Sequence, residues 1–279
     1  MKISGFTIVR NALKFNYPVV EAIKSILPIC DEFIVNVGDS EDDTLGLIRS
    51  INDPKICIIE TQWDMNQGAT ILSEQTNIAL KACKGVWAFY LQSDEVIHEA
   101  DLPRLQACME KYLDDMQVDT LRFRWLHFYG SFWRYRIDRG WYQKQDRIVR
   151  NNGQIVSVGD AFGFARTDGK PLKNVPTHCL LYHYGWVNSV EDMAKRSANA
   201  ANIGYSDGEK EKSWQDGYGD LNRFPAYLGT HPAVMEGLIS KHAVSNVDWK
   251  NIQRRSWWNP ALWLRLRMKT WKRVKQRII

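Results

Sequence analysis

Two hydrophobic periods alternate through the first hundred residues. Ile3 to Val9 is an apolar run of strand length, and Val19, Val20, Ile23, Ile26 and Leu27 then recur at helical spacing until Pro28 stops them. Phe33 to Val37 is a second short run, followed by the polar turn Gly38-Asp39-Ser40-Glu41-Asp42-Asp43. Thr44 to Ile51 reads as a helix with Leu45, Leu47 and Ile48 inward. Ile56 to Ile59 reads as a third strand, Thr70 to Cys83 as a helix carrying Ile71, Leu72, Ile78, Ala79 and Ala82, and Val86 to Leu91 as a fourth strand. Strands apolar on both faces and separated by helices predict an α/β half: a mainly parallel sheet covered by helices on both faces.

The pattern changes from about residue 117. Val118 to Phe128 reads as a long strand, with Leu121, Phe123 and Trp125 alternating against Arg122 and Arg124, and Asp146 to Val149 reads as another. Between them, residues 128–136 are dense in aromatics and arginines. Short strands near 155–158 and 178–184 precede a helix from about Ser189 to Ile203. Residues 204–223, polar and glycine-rich, read as a loop or lid. The second half is therefore expected to be mixed.

Composition narrows the class without naming it. The 279 residues are 44% hydrophobic and 25% charged, which excludes disordered and collagen-like chains and allows one large domain with an appendage. The net charge of +5 is unevenly placed. Residues 254–279 hold nine Lys/Arg and no acid, so residues 1–253 carry 28 basic against 32 acidic side chains, a net −4. Five scattered cysteines without a C-x-x-C pair read as buried thiols in a reducing compartment. The apolar start is too short for a signal peptide, and no stretch approaches the roughly 18 uncharged apolar residues that would span a bilayer. A cytoplasmic protein is expected, resting on the inner face of the membrane.

In open parallel sheets, ligands bind beyond the carboxyl ends of the strands. Arg10 and Asn11 follow the first strand, Asp39 the second, Gln62 to Asp64 the third, and Gln92 to Glu95 the fourth. The carboxylates Asp39, Asp94 and Glu95, with Arg10 nearby, suit a substrate bearing phosphate and a divalent cation, since hard cations take carboxylate and phosphate oxygens. The plainer alternatives are that Asp94 caps a helix or opens a turn and that 38–44 is a turn with an N-cap. Neither a Walker A nor a G-x-G-x-x-G sequence is present, so neither a P-loop nor a dinucleotide site is supported.

These segments carry a resemblance. Ile3 to Asn11, the Gly38-to-Thr44 turn, the helix with Gln75-Thr76-Asn77-Ile78-Ala79 and Ala82, and Trp87 to Glu95 resemble the nucleotide-sugar half of family-2 inverting glycosyltransferases of the GT-A fold. The resemblance implies that the second turn binds base and ribose. It also implies that a D-x-D sequence after the fourth strand holds a metal, Mn²⁺ or Mg²⁺, on the sugar diphosphate. Gln92 stands where the first Asp of that sequence usually stands, leaving Asp94 as the metal carboxylate, with Arg10, Asn11, Asp39, Gln92 and Ser93 as donor-binding residues. The second half is similar to the bacterial lipopolysaccharide-core branch, and the likeness runs from residue 1 to about 200. There Asp160, at the end of Ile155-Val156-Ser157-Val158-Gly159-Asp160, takes the place of the catalytic base, with Asp146 and Asp138 as runners-up. His183 falls near the diphosphate or its metal, and Lys195 or Arg196 near the leaving diphosphate. An ion pair with a nearby arginine is the plainer reading of each aspartate, a core histidine that of His183, and a solvated helix face that of Lys195.

The expected organisation is a nucleotide-sugar half (1–116), an acceptor half of the same domain (117–253) with an aromatic and arginine-rich acceptor wall at 123–142, and a basic C-terminal helix (254–279). In that helix Leu264, Met268, Trp271, Val274 and Ile278 form one apolar stripe among lysines and arginines, suited to an anionic leaflet. A nucleic-acid tail is the rival, and packing on the core or on a second copy in a homo-oligomer is the plain alternative. The expected activity is transfer of a sugar from a nucleotide-sugar donor to a glycan or lipid-linked acceptor, without a nucleic-acid partner. A nucleotidyltransferase is the competing enzyme class, but Val9 to Leu13 lacks the glycines of its phosphate loop. A non-catalytic membrane or nucleic-acid-binding module would leave the strand-end carboxylates unused.

Overall fold

A computed structural model describes residues 1–136, 141–202 and 221–242. Contacts divide the chain into residues 1–239 and 240–279, and the fold below is that of the first unit. Strand and helix alternate through β1 (Ile3–Val9), α1 (Val19–Ile26), β2 (Glu32–Gly38), α2 (Thr44–Arg49), β3 (Ile56–Thr61), α3 (Thr70–Ala82) and β4 (Trp87–Tyr90). The chain continues through β5 (Glu95–Ile97), α4 (Leu102–Lys111), β6 (Thr120–Tyr129), β7 (Tyr135–Arg136) and β8 (Lys144–Arg150). It ends in β9 (Ile155–Val158), β10 (Gly163–Arg166), β11 (Asn174–Trp186), α5 (Val190–Asn202) and α6 (Glu236–His242).

One sheet runs β3-β2-β1-β4-β8-β6-β11-β5, with β7 paired to β6, while β9 and β10 form a separate hairpin. β1 to β4 are mutually parallel where they pair. β8 then enters antiparallel between β4 and β6, β11 lies parallel to β6, and β5 lies antiparallel to β11. The mainly parallel first half and the mixed second half are thus both present. Helices cover both faces. Val19, Ile23 and Ile26 of α1 recur on one stripe and pack, with Leu105 and Met109 of α4, against Phe33, Trp87 and Phe89. On the other face Ile71, Ala79 and Leu80 of α3 meet Phe6, Ile34 and Tyr90. Each fully buried Ile or Phe here contributes about 1.5–3 kcal/mol relative to exposure.

Three features depart from the sequence reading. β3 is an edge strand, so Cys57 is exposed rather than a buried thiol. The short β5 was not foreseen, because its three residues follow the acidic turn with no period to mark them. Arg150, buried at the end of β8, donates to the carbonyls of Tyr112, Leu113, Asp115 and Val118 at 2.7–3.0 Å and lies 4.3 Å from the Trp87 ring centroid. One guanidinium thereby satisfies the carbonyls around the end of α4 and the loop that follows, which have no helical partner.

Candidate active site

The parallel register sets the strand ends level. Val9 pairs with Val37 and Phe6 with Tyr90, so the residues after β1, β2 and β4 emerge side by side. Arg10 Nε donates to the main-chain oxygen of Asp39 at 3.1 Å and faces its Oδ1 at 3.4 Å. Asp39 Oδ1 also accepts from the Trp63 N–H at 3.1 Å, which ties in the end of β3. Asn11, buried and left-handed at φ 55°, donates its N–H to Ser40 Oγ at 3.0 Å and accepts the Glu41 N–H on Oδ1 at 2.7 Å. A short amide side chain is one of the few that tolerates this backbone. Asp43 does cap α2, accepting from the Gly46 N–H at 3.1 Å, while Asp39 stays outside the cap. Ser93 Oγ donates to the Ile8 carbonyl at 2.9 Å.

Asp94 and Glu95, adjacent in sequence, part company here. Glu95 belongs to the core and not to the site edge. Its side chain and that of Arg147 are both fully buried, joined by two hydrogen bonds of 2.7 and 2.8 Å, and the Gln92 N–H donates to Glu95 Oε2 at 3.0 Å. Arg147 also donates to the Phe162 carbonyl at 2.8 Å. Asp94 faces the site with its side chain 17% exposed, and burial raises its pKa above the ordinary carboxylate value. Its main-chain carbonyl is held by the Tyr184 N–H at 2.8 Å.

Opposite Asp94 stand two histidines. His183 of β11 pairs in register with both Glu95 of β5 and His127 of β6. His183 Nε2 is 3.6 Å from Asp94 Oδ2, its Nδ1 is 3.1 Å from His127 Nδ1, and His127 Nε2 meets the Tyr142 carbonyl at 2.6 Å. Burial lowers the pKa of His183 to about 4 and that of His127 to about 3, so both are neutral at pH 7. Trp125 stacks on His183 with ring centroids 5.4 Å apart, and its buried Nε1–H has no hydrogen-bond partner among the described residues. The ladder shifts register between His183 and Trp186, and there the missing side chain of Gly185 lets Asp94 and His183 close in over its Cα. A Cβ at Gly185 would lie 2.8 Å from His183 Nε2 and closer still to Asp94 Oδ2.

Among the described residues no group of three or more His, Cys, Asp or Glu gathers to hold a metal. The protein supplies two donors, one carboxylate and one imidazole, flanking the space over Gly185. That set fits Mn²⁺ or Mg²⁺ only if substrate oxygens and water complete the shell.

The other candidates are placed as follows. Asp160 lies half-buried at the tip of the β9–β10 hairpin, and among the described residues its Oδ1 accepts only from the Phe162 N–H at 3.2 Å. That tip reaches the strand ends: Gln92 Nε2 donates to the Ala161 carbonyl at 3.4 Å, and the hairpin is anchored on α3 by reciprocal bonds of 2.7 and 3.0 Å between Asn77 and Ser157. Asp146 is spent differently, since both its oxygens are taken by Arg122 at 2.9 and 2.8 Å. The ion-pair reading holds there. Lys195 is exposed and paired to Asp192 at 3.0 Å, whereas Arg196 is buried and donates to the carbonyls of Phe15, Asn16 and Gly185 at 2.6–2.8 Å. Asp138, most of the 204–223 loop and the basic segment 254–279 lie outside the described residues. Sequence reasoning missed His127, Gly185 and Tyr142. For His127 a signal existed, because the alternation Leu121, Phe123, Trp125 continues to it on the same face.

The model of glycosyl transferase family 2 matches residues 7–171. The chain belongs to that family. Several solved structures are similar to the chain. S. aureus TarS 1-349 in complex with UDP is 16% identical at a TM-score of 0.45, with 77% of this chain and 70% of that chain covered. Glucosyl-3-phosphoglycerate synthase from Mycobacterium tuberculosis, in complex with Mn²⁺, UDP and glucosyl-3-phosphoglycerate, is 15% identical at 0.41, covering 74% and 81%. A longer S. aureus TarS structure is 16% identical at 0.42, covering 70% of this chain, which spans only 38% of that one. No curated protein sequence matches the chain. No described helix of this family-2 member is long and apolar enough to cross a membrane.

Proposed function

We propose that the protein moves a sugar from a nucleoside-diphosphate donor to a hydroxyl of a glycan or lipid-linked acceptor, with inversion, in the synthesis of a bacterial surface polysaccharide such as the lipopolysaccharide core. The observation that carries this reading is the facing pair Asp94 and His183 over the Gly185 space, at the carboxyl edge where Arg10, Asn11 and Asp39 also converge. Residues 1–116 bind the donor, with Arg10, Asn11 and Asp39 toward base and ribose and Gln92, Ser93 and Asp94 toward diphosphate and sugar.

An acceptor hydroxyl has too high a pKa to attack unaided, so a carboxylate within hydrogen-bond reach must take its proton. Asp160 fills that role: it has no ion-pair partner among the described contacts, and its hairpin tip abuts Gln92. Asp146, saturated by Arg122, is excluded from the proposal, as is Lys195. A divalent cation, held by Asp94 and His183, would supply charge neutralisation for the departing nucleoside diphosphate. Residues 117–253 receive the acceptor. Tyr142 and Phe162, 54% and 37% exposed and stacked at 5.5 Å, offer apolar faces to a sugar ring beside Asp160. The basic segment 254–279 brings the enzyme to an anionic membrane surface on the cytoplasmic side.

A thermal-shift panel of UDP, GDP, dTDP and CMP sugars with and without Mn²⁺ tests the donor site. One nucleotide should stabilise the protein, Mn²⁺ should enlarge its shift, and Asp94→Ala should abolish the enlargement. If no sugar nucleotide stabilises the protein, or Asp94→Ala leaves the shift intact, the assignment is wrong. Asp160→Asn should cut turnover by roughly 10²–10⁴-fold while leaving the donor shift unchanged.

A further inference from the structure

His127 has been given no individual role above, yet its hydrogen bonds decide a property of His183. The Tyr142 carbonyl can only accept, so the His127 Nε2 that lies 2.6 Å from it carries a hydrogen. On the other edge of the ring, His127 Nδ1 stands 3.1 Å from His183 Nδ1. A single proton lies between those two nitrogens, because two bare lone pairs would repel and two N–H groups would clash. Were it bonded to His127, that ring would carry hydrogens on both nitrogens and be a cation. His127 is 4% exposed, with its ring 4.7 Å from that of Trp125 and 5.0 Å from that of Trp141, surroundings that do not solvate a cation. The shared proton therefore belongs to His183 Nδ1. A neutral imidazole has only one, so His183 Nε2 is bare.

That bare nitrogen is the one facing Asp94 Oδ2 at 3.6 Å across the space over Gly185. Two electron-rich atoms turned toward one gap make an electrostatically unfavourable arrangement unless a cation or a proton-bearing group answers both. An unconstrained neutral histidine favours the opposite tautomer, with hydrogen on Nε2, which would close the gap to a metal.

We propose that His127 is a positioning residue: anchored by the Tyr142 carbonyl, it locks His183 in the Nδ1–H tautomer and keeps Nε2 as a bare donor atom beside Asp94. The purpose of this device, though not its existence, rests on the reading of Asp94 and His183 as a cation-binding edge. Outer partners that orient a metal-binding histidine typically alter metal affinity by 10–100-fold.

The test uses the full chain labelled with ¹⁵N-histidine, with long-range ¹H–¹⁵N spectra in which bare and protonated ring nitrogens differ widely in shift; His183→Gln assigns the His183 signals. In the wild type, His183 should show a protonated Nδ1 and a bare Nε2. His127→Phe, which removes the acceptor, should move the hydrogen to Nε2 and weaken the Mn²⁺-dependent thermal shift with UDP at least tenfold in metal concentration. His127→Asn keeps an oxygen where Nδ1 stood and should preserve the wild-type tautomer, a rescue that mere core packing would not give. A wild-type His183 protonated at Nε2 overturns the proposal, as does a His127→Phe protein in which Nδ1 stays protonated. If the tautomer behaves as stated but Mn²⁺ stabilises not even the wild type, the positioning role stands and the metal reading fails.

Discussion

Substituting Arg147 by methionine isolates what the Glu95–Arg147 pair does. Both side chains are fully buried, and Arg147 supplies two of the three hydrogen bonds drawn above to the Glu95 carboxylate. With Arg147→Met, only the Gln92 N–H remains to a charge cut off from water, and the Phe162 carbonyl loses one of its two donors, keeping Gln145 Nε2. Breaking a buried pair in this way costs about 3–5 kcal/mol, mostly as the penalty on the partner left behind. For a chain of this size that is a fall in Tm of roughly 6–20 °C. The control is Arg147→Met with Glu95→Leu, which removes both charges. It should recover at least about 1.5 kcal/mol of the loss, because an apolar pair of similar volume carries no desolvation penalty. Urea midpoints and calorimetric Tm values of wild type, single and double variants give the coupling. Were the single variant to lose less than about 1 kcal/mol, or the double to fall by the sum of its parts, the pair would not be the keystone described. The pair also supports the site: Gln92 leans on Glu95, and the hairpin tip bearing Asp160 leans on Arg147 through Phe162.

Three further outcomes are expected. Gly185→Ala places a methyl group against Asp94 Oδ2 and His183 Nε2; since these are side-chain ends that can move, its Tm should drop by only a few degrees while the Mn²⁺-dependent part of the UDP thermal shift disappears. Stability of the metal-free protein should fall as pH drops from about 6.5 toward 4, because the pKa values of His127, His183 and His231 are lowered by burial to about 3, 4 and 4. The unfolded chain then binds protons that the folded one refuses, at up to about 1.4 kcal/mol per pH unit for each histidine. Asp94, raised by burial, opposes this; a urea midpoint at pH 5 equal to that at pH 7 refutes the assignment of three neutral histidines. Arg150→Ala should cost at least about 3 kcal/mol in urea unfolding, since four carbonyls lose one shared donor; a loss within about 0.5 kcal/mol would show that water replaces it.

The first half of the fold was legible in the sequence because its two periods are clean. Apolar runs of four to seven residues alternate with amphipathic stripes such as Val19, Ile23 and Ile26, and parallel strands buried on both faces leave no other way to write them. The polar residues after each strand were legible for the same reason, since topology alone sends them to one edge. What failed was orientation within the acidic pair. Asp94 and Glu95 are equivalent as letters, and only the short β5, antiparallel to β11, turns Glu95 into the core toward an arginine 52 residues away. Asp146 likewise reads as a free acid until β8 sets it beside Arg122 on β6. His127 and His183 are 56 residues apart, and their meeting depends on a parallel β6–β11 register that no local period encodes.

Counting charge at the edge explains why the site has the composition it does. Glu95 is neutralised by Arg147, His183 is neutral, and Gln92 contributes an amide where a second carboxylate would bring another negative charge. Among the described residues, Asp94 is then the one uncompensated carboxylate facing the Gly185 space, with the buried Arg196 guanidinium lowering the cost of its charge. A single carboxylate and an imidazole offset only half of a divalent cation's charge, so the remainder must come from the diphosphate of the donor. Metal and nucleotide sugar should consequently bind as a pair, each raising the affinity of the other by one and the same factor. A cation proposed at this edge would be held firmly only while there is a leaving group for it to stabilise.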